Sequence, residues 1–177
     1  MSINFDEIID RHGTSCLKYD FAVERGYPKD VLPFWVADMD FRVPVPVIDA
    51  LTARTAHGIF GYTQVKDDYF NVLRDWFRTR HAWTVQRDEL VITPGVVFAI
   101  ATAIRAYTAP NDAVIIQQPV YYPFASMIRQ NGRTLIDSPL RFADGHYSID
   151  FADFEQKIID HKVKLFVLCS PHNPVGR

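Results

Sequence analysis

From Leu90 onward the chain alternates short β-branched runs with amphipathic helical stretches, and this alternation limits the possible folds more than any other feature. Leu90–Thr93 has the composition of a buried strand, Pro94-Gly95 breaks it, and Val96 opens an apolar helix through Ile100, Ile104 and Tyr107. A strand at Ala113–Gln117 precedes a helix at Tyr122–Gln130, and a further strand is expected at Thr134–Asp137. A connecting stretch with Asp144-Gly145 leads to a helix over Phe151–Ile159, with Asp150 as its N-cap, and to a strand at Leu165–Cys169. Strands that alternate with helices predict an α/β fold of three layers, a mostly parallel sheet with helices on both faces.

The segment before Leu90 is less regular. Asn4–Arg11 reads as a short amphipathic helix, followed to Asp30 by a polar arm with Gly13, Gly26 and Pro28. Leu32–Phe41 is apolar and strand-like and carries two carboxylates, Asp38 and Asp40. Pro44 and Pro46 occupy the tolerated first turn of a helix through Val47, Ile48 and Leu51. His57–Thr63 is a glycine- and aromatic-rich loop. Asp67–His81 reads as a helix, because Tyr69, Phe70, Leu73, Trp76 and Phe77 recur at helical spacing and arginines close its basic end.

A chain of 177 residues is long enough to bury a core, roughly 70% of its unfolded surface. A formal net charge of −2 gives no electrostatic reason to bind nucleic acid or a membrane surface. No apolar run spans a bilayer and no signal peptide opens the chain, so a cytoplasmic location is expected. Cys16 and Cys169 lie far apart without metal-ligand spacing and read as reduced thiols; no metal site is expected. The last residues, Ser170–Arg177, follow a strand with no helix to return across the sheet, which is expected of the first part of a longer polypeptide.

Open parallel sheets bind ligands at the carboxyl ends of their strands, and three such ends carry candidate residues. After Thr93, the backbone of Gly95, Val96 and Val97 offers free N–H groups at a helix start, which favours an anion. After Gln117, the turn Gln118–Pro123 aims Tyr121 into the same crevice, where it would stack on a flat heterocycle or simply pack under the loop. After Cys169, Asn173 stands between two prolines, either as a donor to a ring oxygen or as a turn residue. Together the three describe a site for a flat, phosphorylated cofactor. A nicotinamide-binding domain fits less well: the turn lacks Gly-x-Gly-x-x-Gly, and the next strand ends at Gln117-Gln118 without an acidic residue.

Trp35–Phe41, Thr93-Pro94-Gly95, Pro119–Pro123 and Ser170–Arg177 together resemble the fold-type I pyridoxal-phosphate enzymes. Within that group they resemble the cystathionine β-lyase-like C–S lyases found beside the class I/II aminotransferases. The resemblance implies that the backbone of Gly95, Val96 and Val97 holds the cofactor phosphate, that Tyr121 stacks on the pyridine ring, and that Asn173 donates to its 3′-oxygen. It implies that Tyr62 reaches the phosphate in a neighbouring subunit of a homodimer with shared active sites, and that Val36 and Ala37 line the amino-acid substrate's side. It further implies an arm and small-domain segment over 1–45 and the first part of the cofactor-binding large domain over 46–177.

Members of the family also need a lysine that anchors the cofactor covalently, an aspartate on the pyridine nitrogen and a distal arginine for the substrate carboxylate. Lys18, Lys29, Lys66, Lys157, Lys162 and Lys164 read as solvated surface residues in the wrong setting, so all three parts are expected beyond Arg177. The implied activity is the release of pyruvate, ammonia and a thiol from cystathionine or cysteine thioethers, with the 177-residue chain alone inactive. An aminotransferase and a non-catalytic module of the same ancestry are the alternatives.

Overall fold

The computed structural model describes residues 4–177, which divide into two compact units between Val65 and Lys66. In the second unit a short parallel sheet has the order β2-β1-β5, with β1 (Ala113–Ile116) in the centre, β2 (Thr134–Asp137) on one side and β5 (Leu165–Phe166) on the other. Ala113 pairs with Thr134 and Val114 with Leu165, so both neighbours run in the direction of β1. Hydrogen-bonded on both edges and covered on both faces, all four residues of β1 are buried. That burial explains the unbroken Ala-Val-Ile-Ile run: a strand with no wet face has no use for alternation.

The helices cover the sheet from both sides. Helices α3 (Val96–Tyr107) and α4 (Pro123–Gln130) lie on one face, where Ile104, Phe124 and Ile128 pack on Val114 and Ile116. Helix α5 (Phe151–Asp160) lies on the other, where Phe154 and Ile158 meet Ala113, Ile115 and Ile136. Asp150 caps α5 by accepting from the Asp153 N–H, as its sequence position predicts. The three-layer α/β expectation therefore holds. Helix α2 (Asp67–His81) has the predicted bounds, with Asp67 and Asp68 in its first turn and Arg78, Arg80 and His81 in its last, each set matched to the nearby end of the helix dipole.

Some local expectations fail. Leu90–Thr93 forms no strand: Val91 and Ile92 are exposed, and the segment has no ladder partner among the described residues. β-Branched composition favours a strand only when a neighbouring strand supplies cross-strand contacts. Strand β5 ends at Phe166 rather than Cys169. The stretch around Asp144-Gly145 is a hairpin of β3 (Arg141–Ala143) and β4 (His146–Ser148), whose turn residues have φ of 50° and 76°. Asp-Gly between short runs is the sequence signal for such a turn.

In the first unit, α1 (Val45–Ala56) begins in the proline-rich stretch, as predicted. Asn4–Arg11 is not helical, because short polar side chains take the backbone into turns instead: Asn4 Oδ1 accepts from the Asp6 N–H and Asp10 Oδ1 from the His12 N–H. Leu32–Phe41 is irregular rather than strand-like. Lys18 is not a solvated surface residue. It is 6% exposed, with Nζ 2.8 Å from the Asp38 carbonyl oxygen and 3.5 Å from Asp40 Oδ2.

Arg11 completes this cluster. Its Nη1 lies 2.7 Å from both Asp38 Oδ1 and Asp40 Oδ1, and its Nη2 lies 2.9 Å from Asp38 Oδ2. Hydrogen bonds from Arg11 hold both carboxyls below the usual carboxylate range. A carboxyl whose folded pKa is depressed stabilises the fold above its unfolded value of about 4, and that contribution disappears as pH falls through the folded value. The first unit is therefore expected to loosen on acidification below about pH 4. Melting followed from pH 6 down to pH 2 checks this: the double variant Asp38→Asn/Asp40→Asn should melt lower at pH 6 and show a flatter pH dependence.

Candidate functional site

The carboxyl edge of the sheet is shaped by what leaves β1 and β5. Beyond β1, Gln118 N–H donates to Asp137 Oδ1 at 3.0 Å, which ties the exit of the central strand to the end of β2. Val120 is buried in the core and anchors the turn. The neighbouring Tyr121 is therefore held half out of it, its ring edge-on to Phe124 at 6.0 Å. Beyond β5 the chain folds back on itself: the Asn173 N–H donates to Cys169 Sγ at 3.4 Å, and the Asn173 side chain faces solvent.

His172 joins these two exits. It is 8% exposed, and its Nε2 lies 2.9 Å from the Pro119 carbonyl oxygen. A carbonyl only accepts, so Nε2 carries the proton in this contact. The loop with Tyr121 and the loop with Asn173 are thus fastened together through one buried side chain. Sequence reasoning placed His172 inside a motif but gave it no role; a histidine beside the proline-flanked asparagine was the available signal.

The third part of the edge is the start of α3. This helix leads through Thr108–Asp112 into the amino end of β1, so it runs opposite to the strand. Twelve residues rise about 18 Å, and its start therefore lies toward the carboxyl edge, on the face it shares with α4. Gly95 precedes it in extended backbone, with no side-chain cap and no acidic residue in the first turn. The first intrahelical donor is Ala99, which bonds the Gly95 carbonyl at 3.0 Å. The N–H groups of Val96 and Val97 are then two of the helix's free donors. A Cβ at Gly95 would meet nothing within 4 Å, so the space in front of these donors is open.

Gly95, Val96, Val97, Tyr121 and Asn173 thus belong to one edge of one sheet. Tyr62, Val36 and Ala37 belong to the other unit. Tyr62 is fully exposed there, and Val36 is half-exposed with φ of 63°. Of the four lysines of the second unit, Lys66 is exposed at the start of α2 and the other three lie away from this edge. Lys164 donates its N–H to the Ala113 carbonyl at the opposite, amino edge, Lys162 adjoins it, and Lys157 pairs with Asp153 on α5. A cleft of about 360 Å³ opens beside this edge, lined by Gln117 after β1, by Cys169, His172 and Arg177 of the chain beyond β5, and by Tyr147 and Phe151. Among the described residues no group of His, Cys, Asp and Glu is placed to hold a metal ion, and no helix is long and apolar enough to cross a membrane.

A parallel sheet between helix layers, with a bare helix start and two fastened loops at its carboxyl edge, is the architecture of a cofactor-binding α/β domain. The description "Aminotransferase class I and II" matches residues 29–177, and the chain belongs to that family. It is 46% identical over 175 residues to the cystathionine beta-lyase PatB of Bacillus subtilis, covering 99% of this chain and 45% of that protein. The PLP-bound C–S lyase from Staphylococcus hominis superposes with a TM-score of 0.89 at 34% identity, over 100% of this chain and 45% of that one. Cystalysin from Treponema denticola, which contains pyridoxal 5′-phosphate, gives 0.89 at 38% identity with the same coverage. The chain thus spans about 45% of the length of the relatives it matches.

Proposed function

We propose that the chain is the N-terminal part of a pyridoxal-phosphate-dependent C–S β-lyase that converts cystathionine or related cysteine thioethers, with water, into a thiol, pyruvate and ammonia. The observation that carries the proposal is the chemistry of the donor set at the carboxyl edge. A phosphate needs several N–H donors and no competing carboxylate, and the start of α3 offers this. A flat ring needs an aromatic face, and Tyr121 is held half out of the core to provide one. The residues present fit the cofactor, and the 46% identity to a cystathionine beta-lyase supports the lyase reading.

The cofactor, when bound, supplies an electron sink for negative charge developing at the substrate's Cα. The chain's own residues bind and orient. Val96 and Val97 N–H groups hold the phosphate against the positive end of the α3 dipole, and Gly95 leaves room for its approach. Tyr121 fixes the plane of the ring. Asn173 donates to the ring oxygen, and His172 keeps the Asn173 loop against the Tyr121 loop. To Val36 and Ala37 we assign contact with the amino-acid substrate, and to Tyr62 a phosphate contact in a partner copy, within a homodimer. With Lys157, Lys162 and Lys164 away from this edge and Lys66 exposed at the start of α2, we assign the covalent anchor to polypeptide beyond Arg177.

The family's other activity, transamination, is the second reading, and the family match favours it as a class. Full-length enzyme incubated with L-cystathionine separates the two. Pyruvate release without any 2-oxo acid is the expected result, and strict dependence on an added 2-oxo acid would overturn the lyase assignment.

A further inference from the structure

We propose that Arg11 and Lys18 are positioning residues: by gripping Asp38 and Asp40 they hold the turn at Val36–Ala37 in the form that meets the amino-acid substrate. The inference rests on the lyase reading only where it assigns Val36 and Ala37 to the substrate.

The turn carries two local costs. Val36 has φ of 63°, a left-handed conformation that is an outlier for a β-branched residue. Beside it, Trp35 stacks on Tyr27 at 4.5 Å, but its buried Nε1–H has no acceptor among the described residues. No regular secondary structure holds Leu32–Phe41 in place. Such strain persists only where surrounding contacts over-determine it.

The charged cluster supplies those contacts, immediately after the strained residue. The Asp38 N–H bonds the Val36 carbonyl at 2.8 Å, so the two residues share one tight turn. Arg11 Nη1 bridges the Asp38 and Asp40 carboxylates, while Lys18 holds the Asp38 carbonyl from a buried position. Both carboxylates, two residues apart, are held by Arg11, and Lys18 ties the Asp40 carboxylate to the Asp38 carbonyl, which leaves the backbone between them little freedom. The Arg11 guanidinium also lies 5.7 Å from the centre of the Tyr19 ring, which packs it in place.

Two variants of the full-length enzyme test this. Arg11→Lys keeps the charge but loses the two-pronged grip, and Val36→Gly removes the left-handed penalty without touching the cluster. Expected for Arg11→Lys is amide hydrogen exchange at 36–40 faster by about tenfold or more, and a KM for L-cystathionine raised by about tenfold. Expected for Val36→Gly is a higher melting temperature together with a KM raised by a similar factor of about ten. Both should keep pyridoxal-phosphate affinity within about twofold of wild type, because Gly95, Val96, Val97, Tyr121 and Asn173 lie in the other unit and neither variant alters Tyr62.

Unchanged exchange in Arg11→Lys would overturn the grip. Unchanged KM in both variants, whatever happens to their melting, would reduce the cluster to a structural role and overturn the proposal. A wild type that releases no pyruvate from cystathionine would overturn the lyase reading alone, and the exchange arm would still decide whether Arg11 fixes the turn.

Discussion

Replacing Gly95 by aspartate is expected to weaken binding of pyridoxal 5′-phosphate to the full-length enzyme by about two to three orders of magnitude while leaving the fold intact. The loss has two sources. A carboxylate at the N-cap accepts the free N–H groups itself, so the phosphate loses donors worth about 1.5–3 kcal/mol each as charge-assisted bonds. It also sets like charge against like at the helix start. At the lower end of that range two lost bonds come to about 3–4 kcal/mol, and about 1.4 kcal/mol corresponds to tenfold in affinity.

The fold should not suffer. Gly95 sits in extended backbone, a Cβ there meets no protein atom within 4 Å, and an aspartate cap gains a few tenths of a kcal/mol over glycine. Fluorescence titration with the cofactor, beside thermal melting, reads both effects. Gly95→Ala separates added bulk from added charge, and should cost much less than the aspartate. An aspartate variant that binds as tightly as wild type would remove the anion cup from the proposed site.

Ile115→Asp is expected to unfold the second unit altogether. Ile115 is fully buried on the central strand, packed with Ala113 and Ile136 and against Phe154 and Phe166 of the α5 side. Removing its apolar side chain costs about 2–5 kcal/mol even when only a cavity is left. An unpaired carboxylate in the same place adds its desolvation, at least several kcal/mol, unless it takes up a proton. Domains of this size are stable by only about 5–15 kcal/mol, so the sum reaches the whole margin. Circular dichroism and denaturant unfolding check it: Ile115→Val should lower stability by about 0.5–1.5 kcal/mol, and Ile115→Asp should show no cooperative transition. A folded Ile115→Asp chain would mean that β1 is not the centre of the core.

Much of the architecture could be read from residues close together in the chain. The proline turns before α1 and α3, the acid-to-basic gradient of α2, the Asp150 cap and the apolar run of β1 are local signals, and each appears where its chemistry puts it. The parts of the candidate cofactor site were legible for the same reason. A glycine before an apolar helix, an aromatic after a strand and an asparagine between prolines each report a local backbone form. Their common edge followed from the rule that parallel strands point their carboxyl ends the same way.

What required the tertiary structure is every feature whose partner lies far along the chain. Leu90–Thr93 has strand composition but no ladder among the described residues, because a strand is a property of a pair and not of a segment. Lys18 is polar by type, yet it is buried because Asp38 and Asp40, about twenty residues later, compensate its charge. His172 acquires a role only when the sheet brings Pro119 within hydrogen-bond reach across fifty-three residues. Local conformational preference was thus written in neighbouring residues. Strand pairing, the burial of charge and the fastening of one loop to another were decided by long-range contacts, whose energies no short window of sequence contains.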